Sequence, residues 1–250
     1  MKLLMLGGTA EARDLAARLD RSAGLDLTVS LAGATRDPLL GPGTTRIGGF
    51  GGDEGFARYL RDARPDVIVD ATHPFADRIT RRTARMAAQA GIPYRLLLRP
   101  PWTPQSWDVW HEVANEAEAA ARVHPDDHVF LATGRQTLAA FSGMRAAYTW
   151  CRQIDPPDGP YPYRKGEFLV GRPPFSVDDE VALFRRLGIT VLIVKHAGGA
   201  ASRTKLDAAR TLGIPVLMIR RPDYTGIEQV SSVEEMMTWV GGLNNADHPL

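Results

Sequence analysis

The residues best able to do chemistry stand just after short apolar runs. Gly7, Gly8 and Thr9 follow Leu3–Leu6 and lead into Thr9–Leu19, where apolar positions recur at helical spacing. A strand, a glycine turn and a helix N-terminus aim backbone N–H groups and a helix dipole at one spot, which suits a phosphate. Read as a dinucleotide fingerprint, Gly7-x-Thr9-x-x-Ala12 keeps the first glycine and the small third residue but has Thr at the second glycine position. The Thr9 Cβ would hold the backbone back, while its hydroxyl could donate to a phosphate. The same stretch also reads as an ordinary βα turn.

Other strand ends carry further candidates, because ligands of open α/β sheets collect there. Ser30-Leu-Ala-Gly33-Ala-Thr-Arg36 follows the second apolar run, where an NAD site would want an acid. A hydroxyl and a guanidinium suit the 2′-phosphate of NADP, or else form a surface loop. In Gly48-Gly49-Phe50-Gly51-Gly52, Phe50 could stack on a flat ligand, or the glycines simply make a turn before a helix capped by Asp53. Asp70-Ala-Thr72-His73-Pro74 follows the fourth run, and His73 titrates near neutrality, so it could donate a proton or cap its own loop. In the second half, Arg135, the Lys195–Lys205 loop and Arg220 follow strands, with Arg164 and Lys165 nearby. Together these cations could receive an acidic ligand; singly each is a solvated surface charge. The six histidines are scattered without ligand spacing, which argues against a metal site.

The elements that position these residues alternate regularly. Expected strands are Leu3–Leu6, Leu25–Leu31, Thr45–Ile47, Val67–Val69 and Tyr94–Leu98, with helices at Asp53–Asp62 and Ala76–Ala90. Strand and helix in turn imply a parallel sheet with right-handed crossovers. Arg99–Pro104 is proline-rich and reads as a linker. Beyond it come strands at Trp107–Val113, Val129–Ala132, Ala146–Trp150, Phe168–Val170, Val191–Val194 and Val216–Ile219. Helices are expected at Glu116–Val123, after Thr133-Gly134, at Ser176–Leu187, Lys205–Leu212 and Val233–Val240, followed by a frayed tail from Asn244. At 250 residues, 44% apolar and net charge +1, the chain is globular with no global field for nucleic acid or a membrane. One cysteine, Cys151, and no signal-like start point to the cytoplasm.

Seven motifs in order carry a family resemblance: Leu6–Arg13, Ser30–Gly33, Gly48–Gly52, Asp70–Ala76, Thr133–Arg135, Lys195–Lys205 and Leu212–Pro222. Together they make the chain resemble the precorrin-6A reductases, along nearly its whole length. Lys195-His196-Ala197-Gly198-Gly199 departs from the polar turn which that family leads one to expect. The resemblance implies an α/β protein of two Rossmann-like lobes, each with a mostly parallel sheet flanked by helices, and a cleft between them. It assigns residues 1–98 to NADP binding and 105–250 to substrate, with the last helix able to pack back on the first lobe.

It also implies NADPH-dependent reduction of a double bond in precorrin-6A, an acidic tetrapyrrole. Gly7, Gly8, Thr9 and Arg13 would hold the pyrophosphate; Ser30, Gly33 and Arg36 the adenine ribose phosphate; and Gly49, Phe50 and Thr72 would flank the nicotinamide, with His73 as proton donor. Arg135, Lys195, Gly198, Gly199, Lys205 and Arg220 would meet the substrate's carboxylates. A two-lobed glycosyltransferase, which has no need of the Ser30/Arg36 arrangement, and a hinged ligand-binding protein, for which an export signal would be usual, are the alternatives.

Overall fold

The computed structural model describes residues 1–33, 41–163, 165–200 and 202–246. The chain divides into two compact units, Met1–Pro100 with Pro222–Leu250, and Pro101–Arg221. The second unit is thus an insertion, shorter at its C-terminal end than the expected 105–250.

In the first unit, strands β1 (Lys2–Leu6), β2 (Asp26–Leu31), β3 (Thr44–Ile47), β4 (Val67–Asp70), β5 (Tyr94–Leu97) and β12 (Gln229–Val230) form one sheet. Their order is β12-β5-β4-β1-β2-β3 and every pairing is parallel. This is the Rossmann order, with the topological switch between β1 and β4. Strand β1 is buried from Leu3 to Leu6, as a strand covered on both faces must be. One face carries Leu3, Met5, Val67 and Val69 against α1 (Ala10–Leu19) and α7 (Val233–Ala246). The other carries Leu4, Leu6 and Ile68 against α2 (Gly52–Ala63) and α3 (Asp77–Ala90). Gly91 ends α3 in the left-handed conformation expected of a glycine stop.

The second sheet, β6-β11-β10-β7-β8-β9, is also wholly parallel. Its strands are β6 (Trp110–Val113), β7 (His128–Ala132), β8 (Tyr148–Gln153), β9 (Gly166–Val170), β10 (Val191–Lys195) and β11 (Val216–Ile219). It repeats the Rossmann order, except that its outer strand, β6, comes first in the unit. Helices α4 (Glu116–Ala121), α5 (Val177–Leu187) and α6 (Thr204–Leu212) flank it. Ser176 caps α5 reciprocally with Asp179.

Four expectations differ from the structure. Trp107 is exposed with φ +72, so β6 begins only at Trp110. Arg135–Phe141 is a 3-10 turn and not an α-helix. Helix α7 continues to Ala246 through the expected tail. Helix α2 opens at Gly52 with Gly51 as its cap residue, so Asp53 lies inside it. Among the described residues no helix is long and apolar enough to cross a membrane.

Candidate active site

At the switch point of the first unit, β1 and β4 run side by side to Leu6 and Asp70. Gly7 is buried between β2 and α1: a Cβ there would meet Leu31 Cδ2 at 3.3 Å and Val29 Cγ1 at 3.4 Å. A side chain here would make Leu31 or Val29 give by a few tenths of an ångström, so glycine suits a turn lying this close to β2. Gly8 is exposed at φ +129, a conformation that L side chains rarely adopt. Thr9 then caps α1: its hydroxyl accepts from Ala12 N–H at 3.0 Å and donates to the Ala71 carbonyl at 2.9 Å. The Thr9 hydroxyl is therefore engaged within the protein, which corrects its expected role as a phosphate donor. The opening N–H groups of α1, at Ala10 and Glu11, have no intrahelical carbonyl to meet. Arg13 is exposed on the same first turn. A shallow pocket opens here, lined by Thr9, Glu11, Thr72, Pro74, Leu97 and Arg99. Arg99 pairs with Glu11 at 2.7 Å on its rim.

Beneath the pocket lies a buried polar network. The Asp70 carboxylate is fully enclosed and accepts from Thr72 N–H at 3.0 Å, the Thr72 hydroxyl at 2.6 Å and the Tyr94 hydroxyl at 2.9 Å. Burial, reinforced by that carboxylate, pushes the Tyr94 phenol far up, so it stays a donor. Thr72 is thus oriented by Asp70, and the Tyr224 hydroxyl holds the next turn at the Pro74 carbonyl, 2.9 Å away. His73 is exposed, and its Nδ1 accepts from Phe75 N–H at 3.2 Å. That bond puts the neutral ring's proton on Nε2 and shows the loop-capping contact in place.

At the β2 and β3 ends Ser30 is buried and Gly33 exposed. Arg36 lies outside the described residues. A different arginine sits here. Arg46, near the end of β3, donates to Ser30 Oγ at 3.3 Å, to the Gly48 carbonyl at 2.5 Å and to the Gly49 carbonyl at 2.7 Å. Its guanidinium lies 3.9 Å from the Phe50 ring centre. Phe50 is itself 8% exposed and edge-packed on Phe56 and Tyr59. Its ring belongs to the core beneath Arg46, which corrects its expected role as a stacking surface for a ligand. Arg82 of α3 reaches the same cluster, 4.7 Å from Phe56, with its Nε and one terminal nitrogen buried and unpaired. Burial lowers its pKa. Sequence reasoning missed both arginines. The available signal for Arg46 was its place one residue before the end of a strand adjoining Ser30.

In the second unit Arg164 lies outside the described residues, and four of the other expected cations have partners. Arg135 pairs with Asp158 at 3.1 Å, Lys195 with Glu116 at 3.8 Å, and Arg220 with Glu112 at 2.5 Å; Lys205 donates to the Ser202 carbonyl at 2.6 Å. Arg220 is exposed on the β11 side, away from the β7–β10 switch point where Lys195 and Arg135 stand. Burial lowers the Lys195 pKa against the opposing pull of Glu116. Gly198 and Gly199 turn at φ +70 and +85, and the Trp102 indole N–H holds the Gly199 carbonyl at 2.7 Å. Two buried side chains at this edge were not anticipated. Thr133 Oγ1 and both amide atoms of Gln153 have no hydrogen-bond partner among the described residues.

Comparison with known proteins decides the family. The model described as "Precorrin-6x reductase CbiJ/CobK" matches residues 2–241. The chain belongs to the precorrin-6x reductase family. The precorrin-6A reductase of Rhodococcus erythropolis is 48% identical over 97% of this chain and 98% of its own. The cobalt-precorrin-6A reductase of Priestia megaterium is 27% identical over 94% and 96%. A solved structure titled "CobK precorrin-6A reductase" superposes with a TM-score of 0.90 at 38% identity, covering 97% of each chain. The two-sheet architecture described above is thus that of a solved family member.

Proposed function

We propose that this protein is a precorrin-6A reductase of cobalamin biosynthesis that takes its hydride from NADPH, bound by the first unit. The observation that carries the cofactor half is the seat at the β1–β4 switch point. There a tight turn, Gly7 packed close on β2 and Gly8 at positive φ, meets the open N–H groups of α1. Among the described residues the end of β2 carries no carboxylate to take a ribose 2′-hydroxyl; Ser30 and Arg46 meet there. A guanidinium and a hydroxyl fit a phosphate monoester, so the residues present suit NADPH over NADH. Arg36 remains a second candidate for the same phosphate.

The bound nicotinamide supplies the hydride. Gly7, Gly8 and the α1 N-terminus hold the pyrophosphate, with Arg13 adding charge. Asp70 keeps Thr72 in place at the pocket's edge, and Leu97 and Pro74 add apolar surface to its lining. Exposed His73, in its protonated form, is the candidate donor of the proton that completes the reduction. Gly49 shapes the loop that Arg46 holds. The second unit offers Lys195 and Arg135 at its own switch point for an acidic substrate. Identity of 48% to a precorrin-6A reductase against 27% to a cobalt-precorrin-6A reductase favours the metal-free substrate.

The test is to mix purified protein with NADPH and precorrin-6A and follow the nicotinamide absorbance alongside the tetrapyrrole spectrum. Equimolar loss of NADPH and precorrin-6A is expected, with NADH turning over far more slowly. No oxidation with either the metal-free or the cobalt substrate would overturn the assignment.

A further inference from the structure

The unpaired polar atoms of the second unit form an ordered set. In the β7–β10 register Val194 stands beside Ala132, and in the β7–β8 register Leu131 stands beside Cys151. Continuing each by one or two residues puts Gln153, Thr133 and Lys195 in one row across the carboxyl ends of three adjoining strands. Neighbours in such a row are about 4.8 Å apart and share a face of the sheet. Phe130, Trp150, Leu192 and Val194 pack against Phe184 of α5. Alternation therefore turns the row to the opposite face, where Lys195 meets Glu116 of α4.

Thr133 is 7% and Gln153 6% exposed, yet among the described residues neither side chain has a hydrogen-bond partner. Buried polar atoms are nearly always paired, so three orphans at one strand edge need a cause. The first unit supplies the contrast. The corresponding neighbours there, one residue past the pairing of Leu6 with Ser30, are Gly7 and Leu31, which close on each other by apolar contact. In the second unit that position carries Thr133 and Gln153, followed by a 3-10 turn and not by a ten-residue helix with phosphate-binding N–H groups.

We infer that Thr133 and Gln153 bind a carboxylate arm of the substrate beside Lys195. The Thr133 hydroxyl and the Gln153 amide N–H donate to its two oxygens, and the Lys195 ammonium, shared with Glu116, supplies the charge. The Gln153 carbonyl remains for a donor elsewhere on the same ligand. This reading rests on the proposed activity and adds to it a recognition site made of neutral donors.

The experiment uses the full chain with Thr133→Val, Gln153→Leu and Gln153→Glu, measuring KM for precorrin-6A at saturating NADPH, the Kd for NADPH, and Tm. Losing a hydrogen bond to a charged group corresponds to about tenfold or more in affinity. KM should rise about tenfold in the Val and Leu variants and further in Gln153→Glu, which sets a carboxylate against a carboxylate. NADPH Kd should stay at the wild-type value and Tm should hold or rise, since an apolar isostere removes an unpaired polar group. Wild-type KM in Thr133→Val and Gln153→Leu would overturn the inference, whether Tm holds or falls; a fall would assign the pair to structure. Failure of the activity itself would show separately, as absence of turnover in the wild type.

Discussion

Replacing Arg46 with glutamine tests the cofactor preference at its most exposed point. In the free protein the guanidinium holds the Gly48 and Gly49 carbonyls at 2.5 and 2.7 Å and lies on Phe50 at 3.9 Å. Glutamine keeps some hydrogen-bonding capacity but loses the charge and the fork. A charge-assisted hydrogen bond to a phosphate contributes about 1.5–3 kcal/mol. The Kd for NADPH should therefore rise about 10- to 150-fold. NADH, which lacks the 2′-phosphate, should bind the variant and the wild type alike. The loop also loses its cation–π contact, worth about 0.5–1 kcal/mol, and part of its carbonyl bonding. Tm should fall by a few degrees, about 2–4 °C per kcal/mol for a chain of this size. Parallel fluorescence titrations with both nucleotides separate the two effects. Equal weakening of NADPH and NADH would mean that Arg46 only holds the loop, and an unchanged NADPH Kd would return the role to Arg36.

Two further variants probe the elements around the site. Thr9→Val removes the α1 cap and the bond to the Ala71 carbonyl, so urea unfolding should show about 1–2 kcal/mol lost, while NADPH Kd rises by less than about fivefold. A much larger loss of NADPH affinity would show that the hydroxyl leaves its internal partners for the cofactor. Burial and the neighbouring Arg221 hold the His196 imidazole below its ordinary pKa of about 6.5. The unfolded chain then takes up the proton more readily, so the stabilisation is present above about pH 6.5 and is lost as pH falls through the folded value. His196→Gln should flatten the dependence of Tm on pH between about 5 and 7; an unchanged slope would rule the residue out as its source.

The fold was legible wherever local signals were strong. Four buried apolar residues before Gly7, the Gly91 stop and the Ser176 cap each fix an element through short-range chemistry, and their elements lie within a residue or two of the expected bounds. The misses are long-range. Gln229–Val230 is a two-residue strand that exists only because β5 offers it an edge. Arg135–Phe141 has good helix formers in Gln, Leu and Ala, yet tertiary context holds it as a 3-10 turn under the Tyr163 hydroxyl, which donates to the Leu138 carbonyl at 3.2 Å. In the site, glycine and hydroxyl positions were readable from their places after strands. What they bond to was not: the Thr9 hydroxyl turns inward to Ala71, 62 residues away, and the Phe50 ring packs under Arg46 on Phe56 and Tyr59 once α2 folds over it.

The two sheets share one strand order, but the residues past each first strand give them different chemistry. After β1 comes a glycine turn closed against Leu31, then a helix whose aligned peptides favour an anion. After β7 comes Thr133, then a 3-10 turn of Arg135–Phe141, too short and poorly aligned to build a comparable dipole. This contrast supports placing the proposed dinucleotide seat on the first sheet. The sheet that holds this seat is completed by the chain's last segment: β12 adds its outer strand beside β5, and Val233, Met236 and Val240 of α7 cover the face that bears Leu3 and Met5. The second unit is inserted between β5 and β12, so the first unit's sheet closes only after the whole second unit has been made. Truncating at Pro100 would remove part of the first unit's own core, whereas substitutions at Thr133 and Gln153 address the second unit and leave that core intact.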